Sequence, residues 1–392
     1  MLLKNISVLY GKNLKYIQST NLQIKNRCFT GATGSHAGQK LDCEGLLLVP
    51  GFVNMHTHVG DSIAKDAALA GSVDNKIHPV LGIKPRVLKN THPEHLATFM
   101  ENSCRSMIRK GITTFVDFRE GGLDGILLLK KAIARTPIRS VILGRLEHYQ
   151  DKKQIRSNTP LTSEHKRVLD RILKSCDGIG VSGANENSDS VLKYYSTTNK
   201  LRAIHSSETI ESTRRSRQIA KKSETSRALT LKPHFLVHMT HATQSDLLLA
   251  AKKTRGIVIC PRANAALAEG IPDFARMTKA GCTVAMGTDN VMINSPDMFR
   301  EMDYLWKVHM GTHKNRIDPK EILSMATVNG GTILGKKIGS IQDGYLADGF
   351  FVDKHALDLE PMHNPYAAIV QRATESAIRA VMIGGELVHG SI

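Results

Sequence analysis

From about residue 45 onward, short apolar runs alternate with longer stretches in which apolar positions recur at helical spacing. Apolar runs of this length, bounded by turn residues, are what strands buried on both faces of a parallel sheet look like. Eight occur: LLLVPGFVNMHTH (46–58), GITTFVDF (111–118), IRSVILGRL (138–146), DGIGVSGAN (177–185), LRAIHSSE (201–208), HFLVHMTH (234–241), GIVICPRAN (256–264) and CTVAMGTDN (282–290). The segments between them carry helix signals. Thr91, Pro93 and Glu94 read as a capping box with an early proline, closed by Gly111. Thr243 and Asp246 open a helix that ends before Gly256, and Ser295 and Pro296 open the one containing MFREMDYLWKV. Eight strands, each followed by a helix, predict a closed (β/α)8 TIM barrel over residues 50–342. The two ends break the rhythm: NISVLYG, AIRAVMIGG and ELVHG alternate as half-buried strands do. Residues 1–49 and 343–392 are therefore expected to form a small β-sandwich domain built from both termini.

Composition narrows the class. With 392 residues, 41% of them hydrophobic, the chain can bury a large core. Lysine and arginine number 53 against 36 acidic residues, a formal charge of +17 that raises the question of an anionic partner. The densest basic stretch, Arg214, Arg215, Arg217, Lys221, Lys222 and Arg227, also holds Glu211 and Glu224 and no aromatic residue, so a solvated helix face is expected rather than a nucleic-acid site. Six cysteines, Cys28, Cys43, Cys104, Cys176, Cys260 and Cys282, form no CxxC pair and read as buried free thiols. The N-terminus lacks the apolar core of a signal peptide, and no apolar run reaches the ~18 residues of a membrane span; a cytoplasmic location is expected.

Polar chemistry collects where a barrel enzyme builds its site, at the carboxyl ends of strands. Strand one ends in His56-Thr57-His58, strand five in His205 with Glu208 beyond it, strand six in His238 with His241 beyond it, and strand eight in Asp289. His56 and His58, two apart on a strand, share a face and can bind one cation. Each residue has a plainer role: an HxH pair arises by chance among 17 histidines, His205 suits a core, Glu208 suits a helix N-terminus, and Asp289 suits a turn. Four strand ends converging on one rim favour a metal site. His238 and His241 compete for one role, the other capping the next helix.

These motifs, PGFVNMHTH followed by GDS, then HSSE, LVHMTH, CPRAN and GTDN, resemble the amidohydrolase superfamily, in particular its cytosine, guanine and S-adenosylhomocysteine deaminase-like branch with the triazine hydrolases. ATVNGGTILG and IGSIQDGYLADGFFVD extend the likeness over nearly the whole chain. The resemblance implies one divalent ion, Zn²⁺ or alternatively Fe²⁺, held by His56, His58, His205 and Asp289, with Glu208 shuttling protons and His238 contacting the reacting group. The end of strand four, GIGVSGAN, offers no lysine to carry a second ion as binuclear members do. Three neutral histidines leave room for a water whose pKa falls to about 7 on Zn²⁺. Asp289 would take its proton and Glu208 would protonate a ring nitrogen.

Substrate signals are weaker. The segment 62–88 after strand one contains no Phe, Tyr or Trp, so a stacked adenine is not indicated. Lys76, His78, Lys84 and Arg86 make it basic, suited either to a carboxylate or phosphate or to a solvated lid. Arg86, Arg262, Asn264 and His241 are the candidate substrate contacts. The expected activity is hydrolytic deamination of a small amino-substituted heterocycle (purine, pyrimidine or nucleoside derivative). Opening of a cyclic amide or imidazolone ring is the enzymatic alternative, and a catalytically silent scaffold or nucleic-acid-binding relative is the alternative of another class. A homo-oligomer is compatible with all three.

Overall fold

The computed structural model describes residues 1–31, 38–67, 82–313 and 316–392. The N-terminal part supplies β1 (Leu2–Tyr10), β2 (Lys15–Lys25), β3 (Cys28–Thr30), β4 (Lys40–Asp42) and β5 (Leu46–Pro50). The central run follows as β6 (Phe52–His58), β7 (Ile112–Arg119), β8 (Arg139–Gly144), β9 (Gly178–Val181), β10 (Leu201–Ser206), β11 (Phe235–His238), β12 (Gly256–Ile259), β13 (Val284–Met286) and β14 (Asp289–Asn290). The C-terminal part adds β15 (Gly349–Asp353), β16 (Ile378–Ile383) and β17 (Glu386–Gly390).

β6 to β13 pair side by side in chain order, all parallel, and β14 returns to pair with β6, Asp289 opposite Thr57 and Asn290 opposite His58. Only Gly287 and Thr288 separate β13 from β14, so the two are one interrupted strand, bonded to β12 on one side and β6 on the other. That closes the sheet into a TIM-like barrel. Phe118 on β7 and Phe235 on β11 lie four strands apart yet their rings are 6.4 Å apart; on a flat sheet at about 4.8 Å per strand they would be separated by roughly 19 Å. Val116, Phe118, Val141, Leu143, Ala203, Val237 and Val258 fill one face of this cylinder at two-residue spacing. Their alternates Phe115, Ile142, Ile204, Leu236 and Ile257 pack against the helices. Both faces are dry, which is why the runs read as continuously apolar.

The interruption in the last strand has local causes. Asn54 grips Thr288 twice, Nδ2 donating to Thr288 Oγ1 at 2.7 Å and Oδ1 accepting from Thr288 N at 3.0 Å. A Cβ on Gly287 would lie 2.6 Å from His56 Cβ, so only glycine lets this strand rest on β6. Helix starts differ from expectation in two places. Thr243 and Asp246 do form a reciprocal capping box. Before helix Pro93–Arg109, however, the cap is His92, whose ring accepts from Glu94 N, while Thr91 bonds back to Val87 O. Before Met298–Thr312 the cap is Asp297, not Ser295 or Pro296, because its carboxylate reaches Arg300 N.

By hydrogen bonding the two ends of the chain form one continuous sheet, ordered β17-β16-β15-β5-β1-β2-β3 with β4 beside β1. β5 and β15 join the two contributions antiparallel, from Gly349 opposite Pro50 to Asp353 opposite Leu46. All six cysteines are free; five are buried and Cys28 is half-buried, at the start of the short strand β3. Among the described residues no helix is long and apolar enough to cross a membrane.

Candidate active site

The strand ends bring four imidazoles and two carboxylates together. His56 and His58 project from β6 with ring centroids 4.9 Å apart, and His205 from β10 lies 4.8 Å from His56. His238 at the end of β11 lies 5.0 Å from His205. Asp289 Oδ1 sits 3.2 Å from His56 Nε2 and 3.5 Å from His58 Nε2. Glu208 Oε2 sits 3.5 Å from His238 Nε2 and 4.0 Å from His205 Nδ1. The ligand atoms of His56, His58 and His205 all lie within 4.8 Å of one another, as do those of His56, Cys260 and Asp289.

Backbone conformation aims these groups. His238 has φ +71°, Met239 +57°, Ser207 +52° and Asp289 +61°, left-handed values that cost a non-glycine residue roughly 1–3 kcal/mol. The strain sits at three strand ends, where it turns side chains toward the axis of the cylinder.

Electrostatics suit a cation. Burial lowers the pKa of His56 and His205 and brings His58 to about 3, so all three imidazoles are neutral and their lone pairs are available. Burial pushes the Asp289 carboxyl up, but His56, His238 and His58 outweigh it and hold it well below the usual range, an ionised carboxylate. His56 Nε2, His205 Nε2 and both Asp289 oxygens are buried with no hydrogen-bond partner among the described residues. Buried polar atoms are seldom left so. Three nitrogen donors and one oxygen donor supply four ligands for a divalent ion, and a water would complete a five-coordinate set. The residues present therefore fit a divalent metal ion.

A cavity of about 1280 Å³ opens beside the cluster, reaching His58, His205, Glu208 and Asp289. Among the described residues its lining includes Leu88, Leu96, Met100, Leu127 and Leu128 and no Phe, Tyr or Trp. Lys84 and Arg145 lie on its wall. The four expected substrate contacts fall elsewhere. Arg86 is exposed on helix Ile83–Asn90, on a face away from this lining. Arg262 is drawn to buried Glu301, its backbone N donating at 3.2 Å and its Nη1 lying 3.4 Å from the carboxylate, which turns it to a separate surface pocket. Asn264 is fully buried with Oδ1 3.2 Å from His238 Nδ1, so it orients that imidazole. The bond places the proton on Nδ1 and leaves Nε2 facing Glu208. His241 Nε2 is occupied 2.8 Å from Glu269 O and lines a different small pocket, so His238 is the histidine that joins the cluster. Lys76 and His78 lie outside the described residues.

Other polar residues at this rim escaped the sequence reading. Arg119 ends β7 and Glu120 follows it, directly after the run GITTFVDF, and extending that run by two residues would have placed them with the other strand-end groups. Glu224, buried in the cavity wall, accepts from Ser207 N at 3.1 Å and Ser212 Oγ at 2.7 Å; burial raises its pKa to about 7.

The amidohydrolase family model matches residues 47–388. The chain is 36% identical to a provisionally named aminohydrolase of Methanothermobacter thermautotrophicus over 99% of both proteins. It is 27% identical to a 5-methylthioadenosine/S-adenosylhomocysteine deaminase of Thermococcus onnurineus, covering 99% of this chain and 93% of that one. In fold it is similar to a zinc-bound adenosine deaminase from Xanthomonas campestris, with TM-score 0.83 and 19% identity, covering 98% of this chain and 92% of that one. The chain belongs to the amidohydrolase family and is a metal-dependent hydrolase of carbon–nitrogen bonds.

Proposed function

We propose that the enzyme deaminates a small amino-substituted heterocycle, a purine, pyrimidine or nucleoside derivative, using one divalent ion held by His56, His58, His205 and Asp289. Zn²⁺ is the first choice, in line with the zinc in the similar adenosine deaminase, and Fe²⁺ the alternative. The observation that carries the reading is the convergence of these four side chains, of which His56, His205 and Asp289 hold buried, unpartnered donor atoms. The end of β9, Val181-Ser182-Gly183, supplies no lysine, in keeping with a single ion. The same reading keeps the barrel within residues 50–342 and assigns 1–49 and 343–392 to the terminal β-domain.

When bound, the ion supplies Lewis acidity and makes a coordinated water acidic enough to ionise near neutral pH. Asp289 would accept the proton of the water whose oxygen bonds to the amino-bearing carbon. Glu208 delivers a proton to the adjacent ring nitrogen, which makes that carbon more electrophilic. His238, held through Nδ1 by Asn264, presents Nε2 toward the same point and would stabilise the tetrahedral centre by donating from Nε2 when that nitrogen also carries a proton. The carbon–nitrogen bond then breaks, the amino group leaves as ammonia with the proton held by Asp289, and the hydroxyl becomes a carbonyl as its proton returns to Glu208.

The absence of Phe, Tyr and Trp from the described cavity lining favours one second reading, hydrolysis of a cyclic amide or imidazolone ring, whose substrate needs no stacking partner. Both are tested by incubating the metal-loaded enzyme with aminopurines, aminopyrimidines, their nucleosides and cyclic ureas. Ammonia without a new carboxylate supports deamination, a new carboxylate supports ring opening, and silence across the panel with a full complement of metal overturns both.

A further inference from the structure

A second group of buried charges lies directly behind His58. Glu120, just past the end of β7, places Oε1 2.7 Å from His58 Nδ1 and 2.6 Å from Lys84 Nζ, while its Oε2 is 2.5 Å from Arg119 Nη2. Lys84 Nζ is also 3.3 Å from Asp61 Oδ2. Asp61 in turn accepts from Asn290 Nδ2 at 2.7 Å and from Met292 N at 3.0 Å. Lys84 is 4% exposed, Glu120 7% and Asp61 0%. Taking a lysine and two carboxylates out of water carries a desolvation cost that their mutual attraction must first offset, so stability alone is a weak reason to keep them.

Both ends of the network terminate on the backbone or side chains that carry the proposed ligands. At one end the Glu120 carboxylate accepts the Nδ1 proton of His58, which fixes the tautomer and leaves the Nε2 lone pair toward Asp289. At the other, Asp61 grips Asn290, the residue after Asp289 and the partner of His58 in the β14–β6 pairing. Lys84 joins the two. It stands on helix Ile83–Asn90, which also supplies Pro85, Leu88 and Lys89 to the cavity wall. Ile83 and Val87 of that helix pack on Ala64 and Met292, seating it against the loops after β6 and β14.

We propose that Glu120 and Lys84 are positioning residues of the metal site: Glu120 sets the ring of His58, and Lys84, bridging Glu120 and Asp61, ties the cavity-wall helix to the geometry of His58 and Asp289 together. The proposal rests on the reading of these two residues as ligands. Phe118 O, 3.1 Å from His58 Nδ1, is a second and weaker acceptor, so loss of Glu120 loosens the ring without releasing it.

The test compares the full-length wild type with Glu120→Ala, Glu120→Gln, Lys84→Met and the double variant Lys84→Met/Glu120→Gln. Zn²⁺ affinity is measured by chelator competition well below the melting temperature of the metal-free protein, and the visible spectrum is recorded with Co²⁺. Glu120→Ala is expected to weaken Zn²⁺ about 10- to 100-fold and to shift the Co²⁺ bands. Glu120→Gln, whose Oε1 still accepts from Nδ1, recovers most of both. Lys84→Met weakens Zn²⁺ roughly tenfold and raises amide exchange in residues 83–90, and its effect is not additive with Glu120→Gln. Should Lys84→Met fail to fold, Lys84→Gln, which keeps a donor at similar reach, is read in its place and shows a smaller loss. If the variants lower the melting temperature of the metal-free protein but keep wild-type Zn²⁺ affinity and Co²⁺ bands, the network is merely structural and the proposal falls. A wild type that binds neither ion overturns the ligand reading itself, a different result.

Discussion

Glu208→Gln separates the proton carrier from the metal site. Glutamine keeps the length and shape of the side chain, and with them the contact that glutamate Oε2 makes 3.5 Å from His238 Nε2, but it cannot carry a proton to a ring nitrogen. General acid–base help is worth about 10²- to 10⁴-fold, or roughly 2.7–5.4 kcal/mol at 1.36 kcal/mol per decade. The side chain is 14% exposed and borders the cavity, so solvent water can act as a poor substitute. That places the expected loss toward the lower half of the range, about 10²- to 10³-fold in kcat. KM should stay within a few-fold, because the shape of the pocket is unchanged. Steady-state ammonia release gives the first two quantities, and elemental analysis of the same preparation gives the third, a metal content equal to wild type. Retention of kcat within about fivefold would refute the proton-transfer role. Loss of the metal would refute it differently, by making Glu208 a ligand alongside His205 and His238, a grouping the geometry also permits.

Three further outcomes are expected. Gly287→Ala forces a Cβ to within 2.6 Å of His56 Cβ, so it should destabilise the fold by roughly 1–3 kcal/mol and lower metal content, read by thermal melting and elemental analysis. Arg262→Ala should lower the melting temperature, by removing the guanidinium 3.4 Å from buried Glu301, while leaving KM unmoved; a raised KM with unchanged stability would return Arg262 to the substrate. In the metal-stripped protein, His58 titrates at about 3 when folded against 6.5 unfolded, so the unfolded chain binds the extra proton and acid removes stability, roughly 5 kcal/mol for this group across that window. The raised carboxyls Asp117 (to about 6), Glu224 (to about 7) and Glu301 (to about 8) act in the opposite sense above their unfolded values near 4 to 4.5. Stability should therefore change little from about pH 6.5 to 4.5 and fall steeply below 4.5, where the lowered carboxyl of Glu120 adds to the histidines; a steep loss already at pH 6 in denaturant titrations would contradict this balance.

Much of the barrel was legible because its information is local. Each strand is a run of apolar residues that must be dry on both faces, and each polar residue at the end of a run lies at the same rim whatever the details of the loops. His56, His58, His205 and Asp289 could thus be grouped from the chain alone, and so could the capping box at Thr243. Where neighbouring residues offered competing caps, as with Thr91 against His92 or Ser295 against Asp297, the sequence held no means of ranking them, since the choice depends on how the preceding loop enters the helix.

What the tertiary structure decided was direction and partnership. Four candidate substrate contacts had suitable chemistry and near-correct position, yet Arg262 turned to Glu301, His241 to Glu269 O, Asn264 to His238, and Arg86 to solvent. A side chain beyond a strand end follows the dihedral angles of a few loop residues, and left-handed values such as those at His238 and Met239 leave no mark in composition or period. The bridge of Asp61, Lys84 and Glu120 was equally hidden, because its members come from three separate segments and meet only once the cylinder closes. Sequence determines which residues must be buried and where polar groups surface at the rim; the closed barrel determines which of those groups face one another, because burial leaves each charge to find its partner among whatever the fold brings within reach.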